Sequence, residues 1–221
     1  MQRIQLIVNG CEIHFTQAVN NLGIIMDSTL SWSDHCISVA KKVFATLAQL
    51  RRNFSFIPPK IRQLLISTLI FPHFDYGLVL LTDISAGNCS KLQKMQNACI
   101  RFITGASKFQ HVTPLYCNLN ILKIAERRLL AIAVLIWKVI TIGTPEYLYE
   151  QFQFVSDVST RTTRSNALML HMPQHRMEKF HLSFLVQAIK IWNDYELYKY
   201  MQFSSTSFRN LMYKKCLGSS A

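Results

Sequence analysis

The apolar residues of this chain change their period once, and that change sets the fold class. Through the first 26 or so residues they alternate. Ile4, Leu6 and Val8 share one side, Asn9-Gly10 supplies a two-residue hairpin turn, and Ile13 and Phe15 resume the alternation. A third apolar stretch, Leu22 to Met26, can pair beside them. From Ser31 onward the period is that of a helix. The chain is therefore expected to be mainly α with a small N-terminal antiparallel β-hairpin or sheet. Such a sheet is too small to stand alone and must pack on the helices or on other protein.

Within the helical part, Ser31 with Asp34 resembles a capping box, and Ile37, Ala40, Phe44, Leu47, Leu50 and Phe54 fall on one face of the helix that follows. Pro58-Pro59 breaks the chain and opens a second helix, with Ile61, Leu64, Leu65, Thr68 and Leu69 as its buried face; Pro72 is expected to stop it. A third helix is expected over Asn88 to Ile103, with Leu92, Met95, Cys99, Phe102 and Ile103 as its core stripe. A fourth, Ile121 to Ile140, is apolar nearly all round in its middle and reads as the central buried helix, ended by Gly143 and Pro145. Residues 155–180 read as a mobile connector with a short strand at Leu168 to His171. Helices near Leu182 to Tyr195 and Ser205 to Leu217 follow. There is no internal repeat and no low-complexity tract.

Half of the 221 residues are hydrophobic and only 16% are charged, which suits a real core and argues against global disorder. Lys and Arg number 24 against 12 Asp and Glu, a net charge of +12 shared equally between the two halves of the chain. A distributed excess of this kind points to a polyanionic partner, most often nucleic acid. The six cysteines, Cys11, Cys36, Cys89, Cys99, Cys117 and Cys216, include no C-x-x-C pair and read as reduced, buried thiols of an intracellular protein, in cytoplasm or nucleus. No export signal opens the chain. The longest apolar run, Leu129 to Trp137, is about half of what a membrane span needs, so no membrane partner is expected.

Chemistry is sparse. Nucleotidyl transfer needs clustered carboxylates for divalent metal, and no two of the six aspartates are adjacent. His171 and His175 are four apart, but Pro173 between them disfavours a helix and no cysteine pair completes a zinc site. His35-Cys36 are neighbours that point apart on a helix, and no phosphate-cradling glycine loop is present. No catalytic residue, metal site or cofactor is expected. What remains is basic residues beside aromatics. Lys91, Lys94 and Arg101 share a helix face, and Lys41-Lys42, Arg51-Arg52 and Arg127-Arg128 form pairs that could track a phosphate backbone.

A run of segments, in order, resembles the reverse transcriptases of non-LTR retrotransposons, particularly jockey-like elements, just past the palm. It starts with Val19 to Asp27 around Leu22-Gly23, then Leu30-Ser31-Trp32-Ser33-Asp34-His35. Phe74-Asp75-Tyr76-Gly77 follows, then Leu92 to Ala98 with Arg101-Phe102-Ile103, and His111-Val112-Thr113-Pro114. Leu122 to Arg128, Thr160-Arg161, Ser183-Phe184 and Trp192-Asn193 complete the series. The resemblance covers about residues 19–195. It departs from the family after Trp192-Asn193, where Asp194-Tyr195 stands in place of Leu-Pro.

The resemblance implies residual palm strands over 1–28, a thumb-like helical domain over 29–142, and a C-terminal connector with helices over 143–221. It implies an RNA-directed DNA polymerase as parent, and an RNA–DNA template–primer as partner. Lys41, Lys42, Arg51 and Arg52 of the first thumb-like helix, then Lys91, Lys94 and Arg101, would grip its phosphates. The family's catalytic Tyr/Phe-x-Asp-Asp turn lies upstream of the Leu-Gly strand and is absent from this sequence. Magnesium is thus expected only in a full-length relative, and the missing palm and fingers are a second possible partner. The rival reading is a host-retained or inert helical protein-interaction module.

Overall fold

The computed structural model describes residues 6–9, 11–13, 16–158, 167–174 and 176–218. Among them the fold is mainly helical, with short antiparallel strands at the N-terminal end. Strands β1 (Leu6–Val8) and β2 (Cys11–Ile13) pair with Val8 opposite Cys11, leaving the two-residue loop the sequence calls for. The third apolar stretch does not join them. It forms β4 (Ile24–Asp27), which pairs with β3 (Ala18–Asn21) in a separate ribbon. Leu22 and Gly23 between these strands both have positive φ, 49° and 85°, as a type I′ turn requires.

This second ribbon is fastened to the helices by named contacts. Ile24 is buried against Gly77, whose φ is +69°; a Cβ there would come within 2.6 Å of Ile24 Cδ1. The Tyr76 hydroxyl donates to the Leu22 carbonyl. Helix α1 (Ser33–Arg52) then starts behind Trp32, which is buried and left-handed (φ 61°) and donates its indole N–H to Asp83 at 2.6 Å. The Ser31–Asp34 capping box does not form. Asp27 at the end of β4 takes the N–H and O–H of both Ser31 and Thr29, so Ser31 is already committed. Those donors hold the Asp27 carboxyl well below the usual carboxylate range.

The buried face of α1 is also rotated from the expected one. His35, Cys36, Val39, Val43 and Leu47 go inward, while Ile37 and Phe44 are exposed. The same happens in the next helical stretch. α2 (Pro59–Leu65) does not stop at Pro72; it runs through a π turn (Ile66–Ile70) into α3 (Phe71–Asp75). Pro72 has no N–H to offer, and the wider turn ahead of it absorbs the missing bond. Its buried column is Arg62, Ile66, Ile70, Phe74 and Leu78, every fourth residue, and Ile61, Leu64 and Leu69 are left in water. Because the proline is passed rather than obeyed, Pro59–Leu80 becomes a stretch of 22 residues, long and apolar enough by composition to cross a membrane. Here it packs against α1, α4 (Ala86–Thr104) and α6 (Ile124–Ile142).

Helix α4 buries the expected stripe, with Met95 only partly covered, and adds Asn88, Gln96 and Ile100. Two cores result. One gathers side chains from Ile24 to Ile124, the other from Leu122 to Cys216. They meet at α6, which follows α5 (Thr113–Leu119) and packs on α4, α10 (Phe184–Asp194) and α11 (Ser205–Gly218). Trp137 of α6 stacks on Phe208 of α11, ring centroids 4.7 Å apart. Among the described residues between α6 and α10 lie three single-turn helices, α7 (Glu146–Tyr149), α8 (Val155–Val158) and α9 (Glu178–His181). The strand expected at Leu168 to His171 reduces to one bridge, Leu170 with Phe154. The rest of the expected connector, 159–166 and His175, lies outside the described residues.

Candidate nucleic-acid interface

Helices α1 and α4 lie side by side and parallel. At their first turns the Asn88 amide donates to Ser33 Oγ at 3.1 Å; at their far ends the rings of Phe54 and Phe102 meet edge to face at 5.6 Å. All four basic residues of α1 are exposed, but they do not share a direction. At about 100° per residue, Lys41 and Arg52 nearly coincide, whereas Lys42 and Arg51 stand roughly 180° apart. Arg51 leans toward α4. Lys42 lies on the opposite flank, beside His35, whose Nδ1 accepts the Ile25 N–H at 3.4 Å. Burial, then Lys42, lowers the His35 pKa. On α4, Lys91, Lys94 and Arg101 fall within about 80° of one another.

Of the seven predicted contact residues, the fold therefore brings Arg51 and Arg101 together and stacks Lys94 and Lys91 above them on the same face of α4. Lys41 and Arg52 occupy the outer face of α1, and Lys42 looks elsewhere. Arg51 and Arg101 rim a groove of about 410 Å³ whose floor is Phe54, Ala98 and Phe102. Its third cation is Lys108, which sequence reasoning missed. The loop carrying it is held down by Arg101, whose Nη2–H donates to the Gln110 carbonyl at 3.3 Å. Arg101 Nε is buried with no partner.

Arg62 shapes the groove from below. It donates to the Ile57 carbonyl at 2.7 Å and the Phe54 carbonyl at 3.1 Å, and its guanidinium lies 3.5 Å from the Phe54 ring centroid. Arg127 and Arg128 are likewise spoken for. Arg127 forks onto Asp75 and covers Phe71, while Arg128 donates to the Leu81 carbonyl at 2.6 Å. That pair holds the two cores together and is no free phosphate grip.

One sequence signal would have found Lys108. No acid occurs between Asp34 and Asp75, or between Asp83 and Glu126. Residues 28–125 thus hold eleven Lys and Arg against three acids, and two of these acids serve Arg127 and Trp32. Residues 126–221 hold twelve against seven.

The rest of the polar inventory is structural. Gln93, Gln96, Asn97 and Tyr116 form a network that binds the start of α6. Gln96 donates to the Leu122 carbonyl at 2.8 Å, Gln93 accepts the Ile124 N–H at 3.1 Å, and the Tyr116 hydroxyl donates to Asn97 at 2.8 Å. Burial pushes the Cys99 thiol up to about 12 and Cys216 to about 11, and it raises Cys36 despite Lys91 and Arg128 nearby. Those thiols stay protonated, and the neighbouring His35 stays neutral. Cys117 is exposed and Cys89 half-buried, so burial is not general among the cysteines. Among the described residues no group of three or more His, Cys, Asp or Glu could hold a metal ion.

Comparison of the chain with protein-family models, with curated proteins and with solved structures finds no match.

Proposed function

We propose that this chain is the end-of-palm, thumb and connection region of a jockey-like non-LTR retrotransposon reverse transcriptase, acting inside the cell. Its task is to hold template–primer nucleic acid on the groove-bearing face of α1 and α4. The observation that carries this reading is the groove rim of Arg51, Arg101 and Lys108, which no acid joins, with Lys94 and Lys91 on the same side of α4 as Arg101. Cations so arranged neutralise successive phosphates, release condensed counterions and bind without regard to sequence. An RNA–DNA hybrid is read in this way, by shape and backbone.

The test is the salt dependence of hybrid binding. Replacing Arg51, Arg101 and Lys108 by Gln should weaken binding and flatten the slope of log K against log salt by roughly 2 to 3. Lys42→Gln, on the far flank, should leave the slope alone. An unchanged slope in the triple variant counts against the assignment.

A second reading, a helical protein-interaction module, has one observation in its favour. Ile61, Leu64 and Leu69 are 45%, 56% and 47% exposed along one helical stretch. Contiguous apolar surface of that kind marks contact with other protein. Self-association or partner binding lost on Leu64→Glu, with no affinity for the hybrid, would favour it.

A further inference from the structure

We propose that the groove between α1 and α4 binds single-stranded nucleic acid, with phosphates on Arg51, Arg101 and Lys108 and unpaired bases stacked on Phe56 and Phe109. This rests on the nucleic-acid reading above and adds to it. Gripping a duplex requires backbone contacts, whereas exposed rings serve bases that have no partner of their own.

The rings are the first observation. Phe56 is 85% exposed and Phe109 is 93% exposed, more than any other phenylalanine among the described residues. Both lie within two residues of a groove residue along the chain. Phe56 ends the short 3₁₀ turn (Phe54–Phe56) that begins with the floor ring Phe54, and Phe109 follows the rim residue Lys108. Neither ring is needed by the core. The loop bearing Phe109 is tied to α4 by the Arg101–Gln110 hydrogen bond.

The second observation is the Arg101 guanidinium. Arg101 lines the groove and is fixed there by the bond from its Nη2–H to the Gln110 carbonyl, a preset cation for a phosphate. The third is size and charge. At about 410 Å³ the groove is within the range of ligand sites, about 300–1,000 Å³. Its rim is three cations and no acid.

A bilayer surface is the other partner that takes rings and cations together. It fits less well, because an interfacial segment lays a continuous apolar face on the lipid. Here each ring has polar neighbours, Ser55 beside Phe56 and Lys108 and Gln110 on either side of Phe109, and the cations rim a concavity.

The experiment uses the whole chain and three probes. These are an oligouridine RNA of about 12 nucleotides, an RNA–DNA hybrid, and vesicles of phosphatidylcholine with phosphatidylglycerol. The variant is Phe56→Ser with Phe109→Ser, checked for an unchanged melting curve. The parent should bind oligouridine, and the variant should lose at least about tenfold in that affinity while keeping its affinity for the hybrid. Equal oligouridine binding by parent and variant overturns the inference, as does equal loss on both nucleic acids. Binding of the parent to vesicles and hybrid but not to oligouridine also overturns it, yet leaves the duplex reading standing. A parent that binds neither nucleic acid removes both readings at once.

Discussion

Gln96 shows how a single polar side chain can carry an element junction. It is fully buried in α4, gives its amide N–H to Leu122 and accepts from Gln93 at 3.1 Å. Gln96→Leu keeps the bulk but strands the Leu122 carbonyl, a loss of about 1–3 kcal/mol. Urea denaturation should show a lower midpoint at unchanged slope, and a variant as stable as the parent would refute this role. His35 makes a pH prediction. Burial first, and Lys42 second, lower its pKa from the ordinary 6.5. The unfolded chain therefore binds the proton more readily, so the stability His35 contributes is complete above 6.5 and is lost as pH falls through the folded value. Unfolding free energy should drop as pH falls below 6.5, and His35→Asn should flatten that dependence. A separate loss, below the ordinary carboxylate value of 3.8, belongs to Asp27. If His35→Asn tracks the parent in the upper window, the assignment is wrong.

At the scale of elements, the segments on which the reverse-transcriptase resemblance rests are joints in this fold. Leu22-Gly23 and Tyr76-Gly77 fasten the second ribbon, Trp32 reaches Asp83, and Gln93 to Asn97 bind the start of α6. Trp192-Asn193 is the joint for the chain's later part. The Asn193 amide exchanges two 2.9 Å hydrogen bonds with the backbone of Leu170, imitating a strand partner, and the Trp192 indole donates to the Leu168 carbonyl. Asn193→Asp removes the donor and sets a negative charge against the Leu170 carbonyl. Hydrogen exchange at Leu170 should speed up about tenfold or more while α6 stays protected. Unchanged exchange at Leu170 would show that Leu170's own burial suffices to hold the segment. The helix positions themselves were legible in the sequence: Asn88 to Ile103, Ile121 to Ile140 and Ser205 to Leu217 differ from the observed helices by a few residues at most. The faces of α1 and α2 were not. Both carry apolar residues on several sides, and a periodicity weighs hydrophobicity without knowing which side a neighbour occupies.

For the whole molecule, charge and core divide unevenly. The first core carries most of the basic excess, and α6 joins it to the second. Three aspartates of that first part are already engaged, Asp27 by Ser31 and Thr29, Asp75 by Arg127, and Asp83 by Trp32. None of them is free to share a metal ion with another, so primer extension by this chain with magnesium should give no incorporation above background. Incorporation above background would overturn that expectation. Mainly helical class, hairpin, helix positions and net charge followed from the sequence, because each depends on residues near one another along the chain. Which side of α1 and α2 faces water, and which of seven separated cations converge, depended on the partner each helix found. Lys42 and Arg51 read alike as exposed cations on one helix. The parallel packing of α4 along one flank set Arg51 and Arg101 on a common rim, and the loop beyond α4 added Lys108.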